Sequence, residues 1–357
     1  MCLQPCDIPN PNYHKKNGLI EVLKDTESKF ISVPCGHCPQ CIARRQSDIV
    51  QRVLMESLQS QLFFVTLTYQ DKFLKHVVTS SGFDYSYADP RDLQLLFKRL
   101  RKIDSFLPFS YFAVSENGGE RLRPHFHFIL AVNKKFLPSY WDCISYKEYL
   151  WKTILDNWKT NVSNSDKFPI YEPNLIYKEN MQFGIKRRNY DVQFVDSTLS
   201  SNSISNVSFY TIKYMLKPNP KIAKRQQALR LNLDEEEYNF IWNTIKPKNF
   251  VSKGFGLYDS SGLFSNDIVS YLKHCIKRTP LDSAFPFFYS PYNGFSSPLC
   301  EYYRSIGDIY SLKNAIDFAC RIGNPSTARQ VSKSLNDFIK FEKMVRRSDE
   351  HTLFDID

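Results

Sequence analysis

Hydrophobic positions recur along this chain with two different periods, and the changes between them mark out its elements. In IARRQSDIVQRVLMESLQSQ, starting after Cys41, the apolar residues Ile42, Ile49, Val53 and Leu54 fall at helical spacing. Arg44, Arg45 and Arg52 take the other side of that amphipathic helix and read as a solvated face. The following LFFVTLTY is rich in β-branched and aromatic residues and predicts a buried strand ending at Tyr69. DPRDLQLLFKRLRKI predicts a helix with Asp89 as its cap, Pro90 at its first position, and Leu93, Leu96, Phe97 and Leu100 on one side. SYFAVSENGGERLRPHFHFILAV then reads as two strands joined by a glycine-containing loop, a hairpin. A strand, a helix and a hairpin in that order predict an α+β sandwich with one helical face.

Further along, SYKEYLWKTILDNWK predicts a second helix and NYDVQFVD another strand, preceded by the basic run Lys186, Arg187 and Arg188. That run could track phosphates or lie in a solvated loop. SISNVSFYTIKYMLKP carries Val207, Phe209, Ile212 and Leu216 at helical spacing until Pro218 stops it. Beyond Pro218, KRQQALRLNLDEEEYNFIWNTI and SLNDFIKFEKMVRRSDE read as helices around a stretch mixing Gly, Pro, Ser and aromatics. No internal repeat is visible. The pattern divides the chain into a Cys-rich segment at 1–45, an α+β domain at 46–220 and a helical accessory region at 221–357.

Composition narrows the partners. With 357 residues, 42% of them hydrophobic, the chain can bury a sizeable core and is not a disordered polymer. Its 47 Lys and Arg against 37 Asp and Glu give a formal charge of +10, which favours a polyanion such as nucleic acid. Aromatic residues make up 15%, and rings that do not fill the core can stack on unpaired bases. No apolar run reaches the roughly 20 residues needed to span a bilayer, and MCLQPCDIPNPNYHKK lacks the apolar stretch of a signal peptide. The expectation is a soluble intracellular protein with no membrane partner. The chain also has no GxxxxGK[ST] phosphate loop, so neither a nucleotide cofactor nor a built-in helicase is expected.

In that setting the nine cysteines point to metal or free thiols rather than to a disulfide framework. Cys35, Cys38 and Cys41 in PCGHCPQC form two consecutive CxxC steps, and Gly36 and Pro39 suit the tight turns that such steps need. Structural zinc and ordinary thiols both remain open, because no distant second CxxC completes the usual pair of knuckles. Cys2 and Cys6 would have to supply what is missing, with His37 as an additional donor.

RPHFHFIL raises the sharper question of why an apolar strand carries two histidines. Side chains alternate along a strand, so His125 and His127 share one face while Phe126, Phe128 and Leu130 share the other. The apolar set is expected to pack on the helices and leave the histidine face open. Two imidazoles at i and i+2 can hold one divalent cation, with a third ligand from the partner strand. Glu116 is the candidate; Glu120, in the loop, is the alternative. Tyr210, Lys213 and Tyr214 sit at i, i+3 and i+4, on neighbouring turns of one helical face. Taken singly, the histidines could be core or surface residues and the tyrosines part of an ordinary amphipathic helix; together the pattern is far more specific.

FFVTLTY, HFH preceded by an acidic residue, and YTIKY together resemble the three motifs of rolling-circle replication initiators of the HUH endonuclease superfamily. The Cys-rich start MCLQPC…PCGHCPQCIARR and the motif order resemble the replication initiators of gokushovirus-type microviruses, small single-stranded DNA bacteriophages. The likeness covers residues 1 to about 220. It implies an RRM/ferredoxin-like antiparallel sheet with the histidine pair at its centre, packed helices, and a catalytic helix over the metal. His125, His127 and Glu116 match the metal ligands, Tyr210 and Tyr214 the paired nucleophiles, and Lys213 the lysine beside them. It further implies Mg²⁺ or Mn²⁺, single-stranded origin DNA as substrate, a 5′-phosphotyrosine intermediate, a 3′-hydroxyl primer, and host helicase and polymerase partners in the bacterial cytoplasm. Two other readings compete: a noncatalytic, zinc-stabilised nucleic-acid-binding protein, and a plasmid relaxase or transposase with the same chemistry.

Overall fold

The computed structural model describes residues 3–11, 13–14, 27–36, 38–118, 122–163, 168–182, 185–195, 220–257, 265–278, 287–291, 296–300 and 303. Two compact units divide the chain, Met1–Met55 with Gly256–Asp357, and Glu56–Phe255. The first unit opens with β1 (Cys6–Pro9) paired antiparallel to β2 (Phe30–Val33), followed by the start of α1 (Pro39–Gln59).

The second unit holds β3 (Ser60–Leu67), the hairpin of β4 (Lys75–Val78) and β5 (Asp84–Tyr87), α2 (Pro90–Leu100), β6 (Phe109–Asn117), β7 (Pro124–Asn133) and α3 (Tyr140–Asn157). Two short hairpins come next, β8 (Lys159–Asn161) with β9 (Tyr171–Pro173) and β10 (Glu179–Gln182) with β11 (Ile185–Arg188). β12 (Asp191–Val195), α4 (Pro220–Asn232), α5 (Glu235–Ile245) and β13 (Asn249–Val251) complete it. Five strands form one sheet in the order β12-β3-β7-β6-β13, antiparallel at every step. The Lys186–Arg188 run lies in β11, where backbone pairing with β10 makes it a strand rather than a loop.

β7 is the central strand, and its alternation builds the core. Phe126, Phe128, Leu130 and Val132 are fully buried in a cluster with Leu93, Leu96, Phe97 and Leu100 of α2 and with Cys143, Leu150 and Ile154 of α3. The caps fix where these helices start. The Asp89 carboxylate accepts the Arg91 N–H at 2.9 Å, and Ser139 and Asp142 cap α3 reciprocally. At the end of β3, the Trp158 indole N–H donates to the Thr68 carbonyl at 2.8 Å and the Tyr69 hydroxyl to Asp92 at 3.1 Å.

The other face of the sheet is less open than its sequence suggests. Ile129 and Ala131, on the same side as the histidines, are buried, as are Leu62, Phe64, Phe112 and Val114 on the flanking strands. Only the end of β7 that carries the imidazoles stays accessible, because the residues between them and Asn133 are apolar on both faces.

The stretch KRQQALRLNLDEEEYNFIWNTI, which reads as helical throughout, is two helices. Asp234 accepts the Glu237 N–H at 2.8 Å and starts α5, and Glu235, Glu236 and Glu237 place negative charge on its N-terminal turn. Leu229, Ile241 and Ile245 of this pair pack with Val77, Tyr85 and Tyr87 of the β4–β5 hairpin. β13 then reaches β6, with Ser115 and Lys248 exchanging hydrogen bonds of 2.9 Å.

The first unit continues after Phe255 with α6 (Asn266–Arg278), β14 (Phe287–Tyr289) and β15 (Ser296–Pro298). Gly256 has φ +78°, and a Cβ there would stand 2.7 Å from the Arg52 carbonyl oxygen, so only glycine fits. The Tyr303 hydroxyl donates to the Gly256 carbonyl at 2.7 Å, and Gln51 Oε1 accepts the Cys300 N–H at 2.8 Å. Among the described residues no helix is long and apolar enough to cross a membrane.

Phe128→Ala empties a site at the middle of the core, and the expected loss is about 3–5 kcal/mol of unfolding free energy in a urea titration. A loss below about 1 kcal/mol would mean that the face is not packed on the helices.

Candidate metal centre

Glu116 and His125 are direct cross-strand partners on β6 and β7, and His127 follows two residues along the same face. This register brings Glu116 Oε2 to 3.5 Å from His125 Nε2 and 3.4 Å from His127 Nε2. The two rings stand 4.7 Å apart and nearly perpendicular, at 87°. One donor atom from each of the three side chains falls within 4.8 Å of the others, so the group could hold a metal ion.

Each imidazole is held from behind. His125 Nδ1 lies 3.0 Å from the Arg123 carbonyl, which can only accept, so Nδ1 carries the hydrogen and Nε2 turns its lone pair toward Glu116. Arg123 is itself tied to the end of β3, its guanidinium donating to the Tyr69 carbonyl and to Asp71. His127 Nδ1 lies 3.0 Å from Thr66 Oγ1, its opposite number on β3, and the Phe64 ring stacks on it at 5.4 Å. Between the strands, Leu122 adopts φ +50°, and its N–H donates to the Gly118 carbonyl at 3.0 Å.

Thr66 and Arg123 therefore orient the candidate ligands, a role that the sequence pattern does not single out. The signal is there in part, since period-two alternation in LFFVTLTY puts Thr66 on the same face as Phe64.

Burial alone would push the Glu116 carboxyl up, but hydrogen bonds and charge from His125 and His127 outweigh it and hold it below its usual value. Burial also pushes the His127 imidazole below its ordinary value of 6.5. At neutral pH the site thus presents an ionised carboxylate and imidazole lone pairs to one another. Separations of 3.4 and 3.5 Å are at the outer limit of hydrogen bonding. Glu116 Oε2 is buried and has no hydrogen-bond partner of good geometry among the described residues. A buried charged oxygen left this way is costly, and a cation among the three donors satisfies it. The residues present fit a divalent ion.

Cys35, Cys38 and Cys41 form a second group whose sulfurs lie within 4.8 Å of one another. The backbone N–H groups of Leu3 and Cys41 lower the Cys38 thiol to about 6. Cys6 is exposed, directs its thiol to the Gln4 carbonyl at 3.8 Å, and is not part of that group. Cys2, His37, Glu120, Tyr210, Lys213 and Tyr214 lie outside the described residues.

Residues 62–219 match the family model of replication-associated proteins of the ORF2 type. The match supports a replication-associated protein. It takes in β3, the β6–β7 hairpin with Glu116, His125 and His127, and positions 210–214, and it leaves the cysteine group outside. No curated protein and no solved structure matches the chain.

The direction of the His127 shift sets a pH dependence. Its folded pKa lies below its unfolded one, so as pH falls below about 6.5 the unfolded chain takes up the proton first and stability drops. In metal-free protein, His127→Gln should flatten the fall in unfolding free energy between about pH 6.5 and pH 5. An unchanged slope would show that the ring is not held neutral by its surroundings.

Proposed function

We propose that this chain is a rolling-circle replication initiator of the gokushovirus type, an HUH-superfamily enzyme that nicks single-stranded origin DNA through a tyrosine and later rejoins the strand. The observation that carries the reading is the convergence of Glu116, His125 and His127 on the central strand and its neighbour, within the span that matches a replication-associated family. An antiparallel sheet with helices packed on the face away from the histidines suits that assignment, as does the formal charge of +10 for a DNA substrate.

Strand transfer at a phosphodiester needs a nucleophile, neutralisation of the non-bridging oxygens and a stabilised leaving group. Held by Glu116, His125 and His127, Mg²⁺ or Mn²⁺ would supply Lewis-acid polarisation of the scissile phosphate. Glu116 contributes negative charge to that grip, and the two imidazoles contribute neutral lone pairs. Thr66 and the Arg123 carbonyl keep the rings from turning.

Tyr210 or Tyr214 supplies the nucleophilic phenol oxygen. Its bond to phosphorus forms while the bond from phosphorus to the upstream 3′ oxygen breaks; the phenol loses its proton and the 3′ oxygen gains one. Lys213, adjacent in helical spacing, stabilises phenolate character. The 5′-phosphotyrosine link preserves the ester's energy, so attack by a 3′-hydroxyl reverses the step and closes the strand without ATP. Two tyrosines allow one to hold the displaced 5′ end while the other cuts the regenerated origin. Unwinding and synthesis fall to the helicase and polymerase of the host bacterium, in whose cytoplasm the chain acts.

The test is to incubate the full chain with 3′-end-labelled single-stranded DNA of its own replicon, with Mn²⁺ or EDTA, and run a denaturing protein gel. The reading predicts label migrating with the protein only with the metal, reduced in either single Tyr→Phe variant and abolished in Tyr210→Phe/Tyr214→Phe and in His125→Ala. DNA that binds but never becomes covalently attached with Mg²⁺ or Mn²⁺ would falsify the nickase and favour a noncatalytic binding protein.

A further inference from the structure

The turn before α1 draws together a second set of donors, chemically unlike the first. Gly36 has φ +78°, a conformation that glycine adopts without strain, and Arg45 Nη2 donates to its carbonyl at 2.9 Å, holding the turn against the helix. The turn carries Cys35 on one side and delivers the Cys38 N–H to 3.3 Å from Cys35 Sγ on the other. Cys38 and Cys41 are three residues apart at the start of α1, where the Ile42 N–H already donates to the Cys38 carbonyl at 3.0 Å. That spacing puts both thiols on one side of the helix. They are 6% and 8% exposed, so the sulfurs face inward, toward Cys35.

The spacing discriminates between the uses of three thiols. A tetrahedral zinc with Zn–S bonds of about 2.3 Å sets its sulfurs about 3.8 Å apart. Cys35 Sγ and Cys41 Sγ are 4.0 Å apart, and all three sulfurs lie within 4.8 Å of one another. A disulfide needs about 2.05 Å and would leave the third thiol over. Negative charge on the sulfurs is met by the Cys38 N–H, by the N-terminal end of the 21-residue α1 and by Arg45. All three donors are soft thiolates, which favour zinc over the Mg²⁺ or Mn²⁺ suited to Glu116, His125 and His127.

We propose that Cys35, Cys38 and Cys41 bind one Zn²⁺, forming a structural centre that fastens the turn after β2 to the first turn of α1. Three sulfurs take three corners of the tetrahedron, and a further donor or a water takes the fourth. The ion is spent on folding and takes no part in DNA chemistry. The assignment is independent of the replication reading, since it concerns a different donor set outside the matched span.

Metal content of the full chain, purified without chelator, decides it. One zinc per chain is expected in the wild type and in Glu116→Ala/His125→Ala/His127→Ala, and less than a tenth of that in Cys38→Ser/Cys41→Ser. Because the cysteine variant could fail to fold, the wild type carries its own readout. Replacing its zinc with Co²⁺ should give intense near-ultraviolet sulfur-to-cobalt charge transfer, and a chelator should expose three further thiols to a disulfide reagent. Substoichiometric zinc, cobalt bound without a sulfur band, or zinc that leaves with the Glu116, His125 and His127 side chains would each overturn the proposal.

Discussion

Burying Phe126, Phe128, Leu130 and Val132 against α2 and α3 obliges His125 and His127 to emerge from the opposite face of the same strand. The rest of the site follows from that constraint. β7 is central, so both neighbours are fixed in register: β6 supplies Glu116 opposite His125, and β3 supplies Thr66 opposite His127. A one-residue slip on either side would turn Glu116 or Thr66 to the wrong face and drive a phenylalanine of the core into solvent. The packing that stabilises the sheet is thereby the device that positions the donors, each of which sits on a strand rather than on a loop.

The same arrangement is electrostatically incomplete by itself. Glu116 Oε2 is buried without a well-formed hydrogen bond, and burial disfavours a proton on His127 that could answer it. Strand geometry thus presents a negative oxygen and imidazole lone pairs to one another at distances that suit a shared cation better than a shared proton. The cysteine group meets the parallel problem in soft chemistry, with backbone N–H groups and a helix terminus facing sulfur. Oxygen and nitrogen donors in one place and sulfur in the other select different metals, so one chain can carry a reactive ion and a structural one without exchange between them.

Much of this is legible in residue order. LFFVTLTY, the Asp89–Pro90 start of α2 and the β6–β7 hairpin announce themselves by period and by capping chemistry, and alternation alone places His125 opposite the core-facing phenylalanines. β13 is not readable, because three residues, Asn249–Val251, carry too little periodicity and their pairing with β6 is a long-range event. The break between α4 and α5 is hidden by apolar spacing that runs on across it, although Asp234 and the glutamates after it spell a helix start. Burial of Ile129 and Ala131 depends on what covers the face rather than on the strand. Thr66 and Arg123 escape because an orienting residue has no signature of its own; its role exists only once the register brings it to a ring nitrogen.

The central claim is that Glu116, His125 and His127 form a divalent-cation centre, and anomalous diffraction from a crystal grown with Mn²⁺ tests it most directly. The geometry predicts a strong anomalous peak within coordination distance of a Glu116 carboxylate oxygen and of both Nε2 atoms, absent from a Glu116→Gln crystal grown the same way. Manganese ordered only elsewhere, with Glu116 Oε2 satisfied by a proton donor or a water, would contradict it.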